Sequence, residues 1–225
     1  MKSIIFDSST IISMSMNGLF NELKELRRIF DGKFIITKEV KSEIIDRPLT
    51  IKKFELEALN LQSLLDEKIL EMPNSLKIDE KELLRDTYKI IDIANSTFDA
   101  KGKKIHLIDI GEASCLALSK ILSEKKIKNV IAIDERTTRV LCERPENLKE
   151  LLEKKLHTKI TSKKENYGFF SGFKFIRSAE LMYFAYKKGV IHLKNGHVLD
   201  ALLYALKYKG CSISEEEIEE IKKVG

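Results

Sequence analysis

Two short apolar runs of this chain each end at an aspartate, and segments with helical periodicity lie between such runs. The run at 4–6 precedes Asp7, and the run at 130–133 precedes Asp134. Short continuous apolar runs are typical of strands buried on both faces, and strands that alternate with helices indicate a parallel α/β sheet. Because ligands bind at the carboxyl edge of such a sheet, both aspartates are candidate site residues.

The predicted elements alternate between strand and helix at both ends of a mostly helical middle. Before this middle region the pattern predicts strand 2–6, helix 10–30, strand 33–36 and helix 38–46. Within 49–104 it predicts helices at 54–65 and 83–98, separated by a short strand-like piece at 69–72. After it come helix 109–125, strand 129–133, helices 137–142 and 146–155, and a further strand at 158–161.

These elements predict one α/β domain over 1–161, with a helical insertion at about 49–104. Residues 162–225 are predicted to add an irregular basic and aromatic loop at 162–177 and a helical C-terminal extension. Its helices are expected at 179–188, 197–209 and 215–223, and the capping-box spacing of Ser214 and Glu217 marks the start of the last one.

Composition sets only broad limits. A length of 225 residues with 43% hydrophobic content is enough for one full core, and a net charge of +5 permits a polyanionic partner without requiring one. No apolar stretch approaches the roughly 20 residues that span a bilayer, and the N-terminus lacks a signal-peptide pattern, so a cytoplasmic protein is expected. The cysteines have no CxxC spacing and are predicted to be reduced and structural: Cys115, Cys142 and Cys211.

Four acidic residues at predicted strand ends or on predicted helices are the main functional candidates: Asp7, Glu43, Glu112 and Asp134. Carboxylates gathered in one pocket repel one another, so they stay together at neutral pH only when they bind cations or hold protons. A site without His or Cys favours Mg²⁺ or Mn²⁺ over zinc, and such ions suit phosphoryl chemistry.

Each of these residues also has a structural explanation. Asp7 has the sequence position of a helix cap, and Glu43 lies four residues before Arg47, with which it would form a solvated ion pair. Glu112 has capping-box spacing from Asp109. Asp134 is the hardest of the four to explain by stability alone, because Glu135 follows it directly at the end of a buried strand.

Other chemistries have little support in the sequence. The four histidines are scattered without pairing or a nearby nucleophile, and neither GxGxxG nor GxxxxGK[ST] occurs. Asp7 resembles the strand-end aspartate of haloacid-dehalogenase phosphatases, but Ser9 stands where that family has its second aspartate.

Three local motifs in order resemble a PIN domain, the metal-dependent nuclease fold of many prokaryotic toxins of toxin–antitoxin pairs and of RNA-processing enzymes. They are IIFDSS at 4–9, TKEVKSE at 37–43, and GEASCLAL at 111–118 followed by the strand ending at Asp134 and by Arg139. The tail at 178–214 is similar to that of an uncharacterised prokaryotic PIN subgroup. The chain departs from compact members in its longer region at 49–104 and its enlarged stretch at 146–177.

The resemblance implies a PIN-like three-layer α/β/α fold with a central parallel sheet, a helical insertion and a helical C-terminal extension. Asp7, Glu43, Glu112 and Asp134 would hold one or two Mg²⁺ or Mn²⁺ ions. The expected supporting residues are Ser9, Asp109 and Glu135. The implied activity is hydrolysis of phosphodiester bonds in single-stranded RNA by a metal-activated water, in a toxin or an RNA-processing factor. An antitoxin-like protein and a second copy, paired through the helix at 198–206, are the implied protein partners.

Contacts to RNA are expected from basic residues near the site and in the loop at 162–177: Arg139, Lys163, Lys164, Lys174 and Arg177. The loop aromatics Tyr167, Phe169 and Phe173 either stack on bases or fold back into the core. Two other functions stay open at this point. One is a PIN-like scaffold that binds RNA or a protein without cutting, and the other is a metal-dependent phosphatase for small phosphate esters.

Overall fold

The computed structural model describes residues 2–193 and 195–223. Its strands are β1 Lys2–Phe6, β2 Lys33–Ile35, β3 Phe98–Ala100, β4 Lys103–Lys104, β5 Lys128–Ala132, β6 Ile160–Ser162 and β7 Phe175–Ile176. Its α-helices are α1 Ser8–Met16, α2 Phe20–Ile29, α3 Lys38–Lys41, α4 Glu55–Asp66, α5 Glu80–Asn95, α6 Ile110–Glu124, α7 Arg136–Glu143, α8 Pro145–Leu156, α9 Ser178–Lys187, α10 Val198–Tyr208 and α11 Glu215–Lys223. None of the helices in these ranges has the length and apolar character needed to cross a bilayer.

The central sheet is parallel throughout, which confirms the predicted α/β class. Its strand order is β2-β1-β5-β7, and the central register pairs Ile5 with Ile35 on one side and with Ile131 on the other. Both faces of β1 are covered by helices, so its apolar residues are almost completely buried. This burial on both faces explains why β1 and β5 have continuous apolar runs rather than an alternating pattern.

The strand order places a topological switch point between β1 and β5. From β1 the chain moves outward to β2, and later it returns to the other side of β1 to form β5 and then β7. The predicted strand-like piece at 69–72 is reduced to an isolated parallel bridge, in which the Glu71 amide donates to Phe34 O at 2.8 Å. The carboxyl ends of β1 and β5 therefore border the position at which open α/β sheets generally bind ligands.

The single helix predicted over 10–30 is wrong, because the structure divides it into α1 and α2. Gly18 lies between them with φ +67°, and the Leu19 amide donates to Met14 O at 3.0 Å. Glycine adopts this left-handed conformation without the steric cost that other residues pay. After the break, both α1 and α2 contact α9.

The helix predicted over 38–46 begins as α3 and continues as a π-helical turn over Ser42–Asp46. The Arg47 amide donates to Ser42 O at 3.0 Å, which is the five-residue spacing of a π-turn. Such turns are rare and occur often at functional sites, because the extra residue turns a side chain away from its helical position. Here the turn carries Glu43.

The helix predicted over 83–98 lies at 80–95 instead, and 98–104, within the region predicted to be mostly helical, forms a hairpin. The turn residues Lys101 and Gly102 both have positive φ, as a two-residue hairpin turn requires. β3 pairs antiparallel with β4 and with β6, so a second, three-stranded sheet forms. Its pairing partner β6 lies some 60 residues later in the chain, and local sequence periodicity contains no information about it.

The stretch at 162–177, predicted as an irregular loop, contains a 3-10 helix and the edge strand β7 of the main sheet. Its aromatic residues fold back onto the core: Phe170 is completely buried, and the ring of Tyr167 lies 6.0 Å from that of Phe98. In the C-terminal extension, the apolar residues Leu203 and Leu206 of α10 are also buried within the chain. A dimer through this helix stays a prediction, and its apolar face is already occupied.

Candidate functional site

An open cleft of about 540 Å³ lies at the carboxyl edge of the sheet, next to the switch point. Three of the four predicted acidic residues line it, and Asp134 does not. Its lining is formed by Asp7, Ser8, Ser9, Glu43, Arg47, Leu107, Asp109, Ile110, Glu112 and Glu135. We refer to this depression as the acidic cleft.

Asp7 is the innermost acidic residue of the cleft and is only 1% exposed. Its backbone amide extends the β1–β5 pairing to Ala132 O, and its Oδ2 accepts from the Ser9 amide at 2.9 Å and from Ser9 Oγ at 2.5 Å. Asp7 therefore caps α1, which confirms the helix-cap role that its sequence position allowed. Its other oxygen, Oδ1, is buried and has no hydrogen-bond partner within the protein.

The environment of Asp7 disfavours its charged form. Burial is the main cause and raises the pKa of Asp7 to about 6, against the hydrogen bonds from Ser9, and the nearby charge of Glu43 raises it further. A buried polar atom without a partner normally costs about 1–3 kcal/mol. At the bottom of a cleft, this oxygen is available to a ligand.

Glu43 reaches the cleft from the π-helical turn and lies directly over the start of α6. A Cβ atom placed on Gly111 would come within 2.7 Å of both Glu43 carboxylate oxygens, so only glycine leaves room for this carboxylate. Burial raises the pKa of Glu43, and hydrogen bonds from Ser8 and the Gly111 amide act against this shift. The charge of Arg47 also lowers the pKa, but among the described residues no ion pair joins Arg47 to Glu43.

We expect Gly111→Ala to move Glu43 out of the cleft without unfolding α6. The new methyl group clashes with the mobile end of a side chain, and alanine favours a helix, so the free energy of unfolding should change by less than about 1 kcal/mol. The Mn²⁺ concentration needed for half-saturation of the cleft should rise roughly tenfold. Gly168→Ala is the matched control, because a Cβ there meets no atom within 4 Å. Equal metal dependence in both variants would contradict this role of Glu43.

Glu112 lies in the first turn of α6, where it caps the helix and also lines the cleft. Its Oε2 accepts from the Asp109 amide at 2.9 Å, which is one half of the predicted capping box, and its Oε1 is 2.6 Å from Thr138 Oγ1. Burial raises the pKa of Glu112 to about 8 despite these hydrogen bonds, and the charges of Asp7 and Glu135 add to the shift. In the absence of a cation, the environment therefore disfavours the charged form of this carboxyl group.

Asp134 lies behind the cleft and is completely buried. Its Oδ1 accepts from the Ser178 amide and its Oδ2 from Ser178 Oγ, both at 2.7 Å, so the side chain fastens the start of α9 to the end of β5. The Asp134 amide donates to Ser9 Oγ at 3.0 Å. Asp134 thus contacts the cleft indirectly, because it positions the serine that holds Asp7.

Asp134→Ala is expected to lower the free energy of unfolding by roughly 2–4 kcal/mol, because two buried donors of Ser178 lose their acceptor. The midpoint of urea unfolding measures this loss. Ser178→Ala should have a smaller effect in the same direction, since it removes only one of the two hydrogen bonds. Asp92→Ala, at an exposed position of α5, is the control, and an Asp134 variant as stable as this control would contradict the anchoring role.

The predicted supporting residues have distinct places. Ser9 binds Asp7, as expected. Asp109 is largely exposed, and its Oδ1 lies 2.7 Å from His106 Nε2. Glu135 caps α7 through the Thr138 amide at 3.0 Å while it lines the cleft.

Sequence reasoning missed three hydroxyl side chains that hold the acidic residues. Ser8 binds Glu43, Thr138 binds Glu112 and Ser178 binds Asp134. Ser8 directly follows the strand-end residue Asp7, so its position in the sequence could have indicated a place in the site. Thr138 and Ser178 reach their partners from other elements, and no local pattern indicates these contacts.

The basic residues predicted to bind RNA lie outside the lining of the acidic cleft. Arg139 and Arg177 both donate to Ser212 O, and Arg177 also pairs with Glu180 and Glu217, so these two cations bind the C-terminal extension. Lys163 and Lys164 are exposed. Lys174, which precedes β7, is exposed at the amino edge of the sheet beside Lys128, opposite the acidic cleft.

The donor set of the cleft fits a hard divalent cation. Within residues 2–193 and 195–223, no three His, Cys, Asp or Glu side chains are arranged as a ready-made metal-binding group. The free Oδ1 of Asp7 and the carboxylates of Glu43 and Glu112 nevertheless supply oxygen ligands of the kind that Mg²⁺ and Mn²⁺ prefer. The described cysteines are free thiols and contribute no ligand to the cleft.

Comparison of the chain with known protein families, with characterised proteins and with solved structures gives no match. The basis for a functional assignment is therefore the parallel α/β sheet and the chemistry of the cleft at its carboxyl edge.

Proposed function

We propose that this protein is a Mg²⁺- or Mn²⁺-dependent endoribonuclease with a PIN-like fold, which hydrolyses phosphodiester bonds of single-stranded RNA. The observation that carries the proposal is the buried, unpartnered Oδ1 of Asp7, which shares one cleft with the carboxylates of Glu43 and Glu112. This cleft lies at the switch point of a parallel sheet, where α/β proteins bind their ligands.

The electrostatics of the cleft support a cation. Three carboxyl groups with raised pKa values lie in it, and burial is the largest cause of each shift. Such an arrangement destabilises the folded protein, because neighbouring anions repel and buried anions lose hydration. A divalent cation compensates for both effects at once.

Asp7, Glu43 and Glu112 are the residues that would hold the ion or ions. When bound, Mg²⁺ or Mn²⁺ lowers the pKa of a water and stabilises the charge that builds on the leaving oxygen. Ser9 holds the Asp7 carboxylate in one orientation, and the Asp134 amide fixes Ser9 in turn. Arg47, on the cleft wall, is placed to bind a phosphate oxygen of the substrate.

Three of the four acidic positions implied by the PIN resemblance support this proposal, whereas Asp134 is hydrogen-bonded to Ser178 behind the cleft. The first, second and third motifs of the resemblance contribute Asp7, Glu43 and Glu112, and all three side chains line one cleft. The region at 49–104 supplies α4, α5 and a hairpin, and the segment after 162 supplies β7 and a helical extension. A toxin of a toxin–antitoxin pair and an RNA-processing factor are both compatible with this arrangement.

Incubation of the purified protein with a labelled pool of single-stranded RNA tests the proposal, in parallel reactions that contain Mn²⁺, Mg²⁺ or EDTA. We expect endonucleolytic products with either metal and none with EDTA. Full-length RNA under all three conditions would contradict the nuclease. A chromogenic phosphate monoester in the same series tests the small-molecule phosphatase, which we expect to be inactive.

One observation favours a second function, a non-catalytic scaffold that binds RNA or a protein. Glu112 accepts hydrogen bonds from Asp109 and Thr138. Asp134 accepts hydrogen bonds from Ser178. A scaffold would bind RNA with the same affinity in Mn²⁺ and in EDTA and leave it intact, whereas the nuclease converts it to products.

A further inference from the structure

A second depression of about 370 Å³ adjoins the acidic cleft on the side of the helical insertion. It lies between the α3–π-helical segment and the start of α5, and we call it the insertion groove. Its floor is apolar and is formed by Met72, Pro73, Leu83, Leu84 and Ile110. Leu84 is 41% exposed, so its side chain is accessible to a ligand in the groove.

The insertion groove is continuous with the acidic cleft. Glu43, Arg47 and Ile110 line both depressions, so they form a common wall. A substrate whose phosphate lies beside Asp7 and Glu43 therefore has its neighbouring nucleotide at the mouth of the groove.

The charges around the groove favour a neutral ligand group over a phosphate. Three cations and three acidic residues line it, so the net charge of the rim is close to zero: Lys38, Arg47 and Lys81 with Glu39, Glu43 and Glu80. In the part of the chain that the structure describes, no ion pair involves Lys38 or Lys81. Both ammonium groups are hydrogen-bond donors and can bind the edge of a polar heterocycle above the apolar floor.

We propose that the insertion groove binds the base and ribose of the nucleotide next to the scissile phosphate. This inference rests on the proposed ribonuclease function and adds a subsite to it. The volume is near the lower end of the roughly 300–1,000 Å³ of small-molecule sites, which suits one nucleotide better than a helix of a partner protein. Leu84 and Lys81 come from the first turns of α5, so the region at 49–104 contributes directly to substrate selection.

The test measures RNA binding separately from cleavage. A fluorescently labelled short single-stranded RNA is titrated with the protein in EDTA, where cleavage is blocked, and its anisotropy gives the dissociation constant. Leu84→Gln should weaken binding by about tenfold, because one apolar contact with a base is lost. Leu59→Gln is the matched control, since Leu59 is also the fifth residue of its helix, is 53% exposed and lies outside the groove.

Methyl NMR spectra provide a local readout in the same titration. The signals of Met72 and Ile110, on the groove floor, should shift when RNA is added to the wild-type protein and to Leu59→Gln. They should shift much less in Leu84→Gln at the same RNA concentration.

The possible outcomes separate the subsite from the nuclease. Equal binding by Leu84→Gln and Leu59→Gln would overturn the subsite, and cleavage by the wild-type protein in Mn²⁺ would still support the nuclease. Weaker binding by Leu84→Gln without cleavage by any protein would support the groove and reject the nuclease. Unchanged signals of Met72 and Ile110 in the wild-type protein, at RNA concentrations that saturate the anisotropy, would also overturn the subsite.

Discussion

Replacement of Asp7 by Asn is expected to lower the rate of metal-dependent RNA cleavage by roughly a thousandfold or more, with no loss of folding. Among the described residues, Asp7 Oδ1 is the one buried carboxylate oxygen without a partner, and the substitution removes it together with the innermost proposed ligand of the cation. An amide keeps the size of the side chain, and its oxygen still accepts from Ser9. Because burial disfavours the charged form of Asp7, the neutral variant should unfold in EDTA at the same urea concentration as the wild type, or at a higher one.

Cleavage of labelled single-stranded RNA in Mn²⁺ and urea unfolding in EDTA measure the two parts of this expectation. Asp92→Asn is the matched control, because Asp92 is exposed on α5 and distant in sequence from the acidic motifs. Cleavage by Asp7→Asn at the rate of this control would exclude Asp7 from the site. Unfolding of the variant under native conditions would instead show that Asp7 serves mainly as the cap of α1.

Replacement of Glu112 by Gln is expected to remove most of the dependence of stability on pH in the metal-free protein. In the folded state the pKa of Glu112 is about 8, above its ordinary value of 4.5, so the folded protein retains a proton that the unfolded chain releases. The stabilisation is fully present below about pH 4.5 and is lost as the pH rises to about 8. Each unit of pKa shift corresponds to about 1.4 kcal/mol, so the wild type should lose several kcal/mol over this range.

Asp7 adds a smaller contribution with the same sign. Its pKa is raised from 3.8 to about 6, so its share of the stability is lost between about pH 4 and pH 6. Above pH 6, the change in the free energy of unfolding of the wild type with pH therefore reports mainly on Glu112. Urea unfolding in EDTA at pH 5, 6, 7 and 8 measures this slope. A divalent cation should reverse it, because the ion binds the deprotonated carboxylates and metal affinity rises with pH.

Glu57→Gln is the control for this series. Glu57 is the third residue of α4, as Glu112 is of α6, and its side chain is exposed. We expect Glu57→Gln to follow the wild type at every pH and Glu112→Gln to lose RNA cleavage together with the pH slope. A Glu112 variant with the wild-type slope would show that this carboxyl group is ionised in the metal-free protein, and the electrostatic argument for a cation would then be wrong.

The sequence alone was sufficient for the features that depend on local physics. Continuous apolar runs identified β1 and β5, and their alternation with helices predicted the parallel sheet. The apolar run before Asp7 predicted that this residue lies at the carboxyl end of β1. The spacing of Ser214 and Glu217 predicted a capping box, and its two hydrogen bonds are present at 2.8 and 3.1 Å. The family assignment rests on short motifs and stays a prediction.

Only the tertiary structure decided how the four acidic residues are used. Asp7 and Asp134 have the same local sequence pattern, yet one keeps an unpartnered oxygen in the cleft and the other is enclosed by Ser178, 44 residues later. The place of Glu43 depends on a π-turn and on the room left by Gly111, and the insertion groove exists because α5 packs beside that turn. These features arise from contacts between distant segments, so the sequence determined the strands, helices and caps, and the packing of the whole chain determined the site.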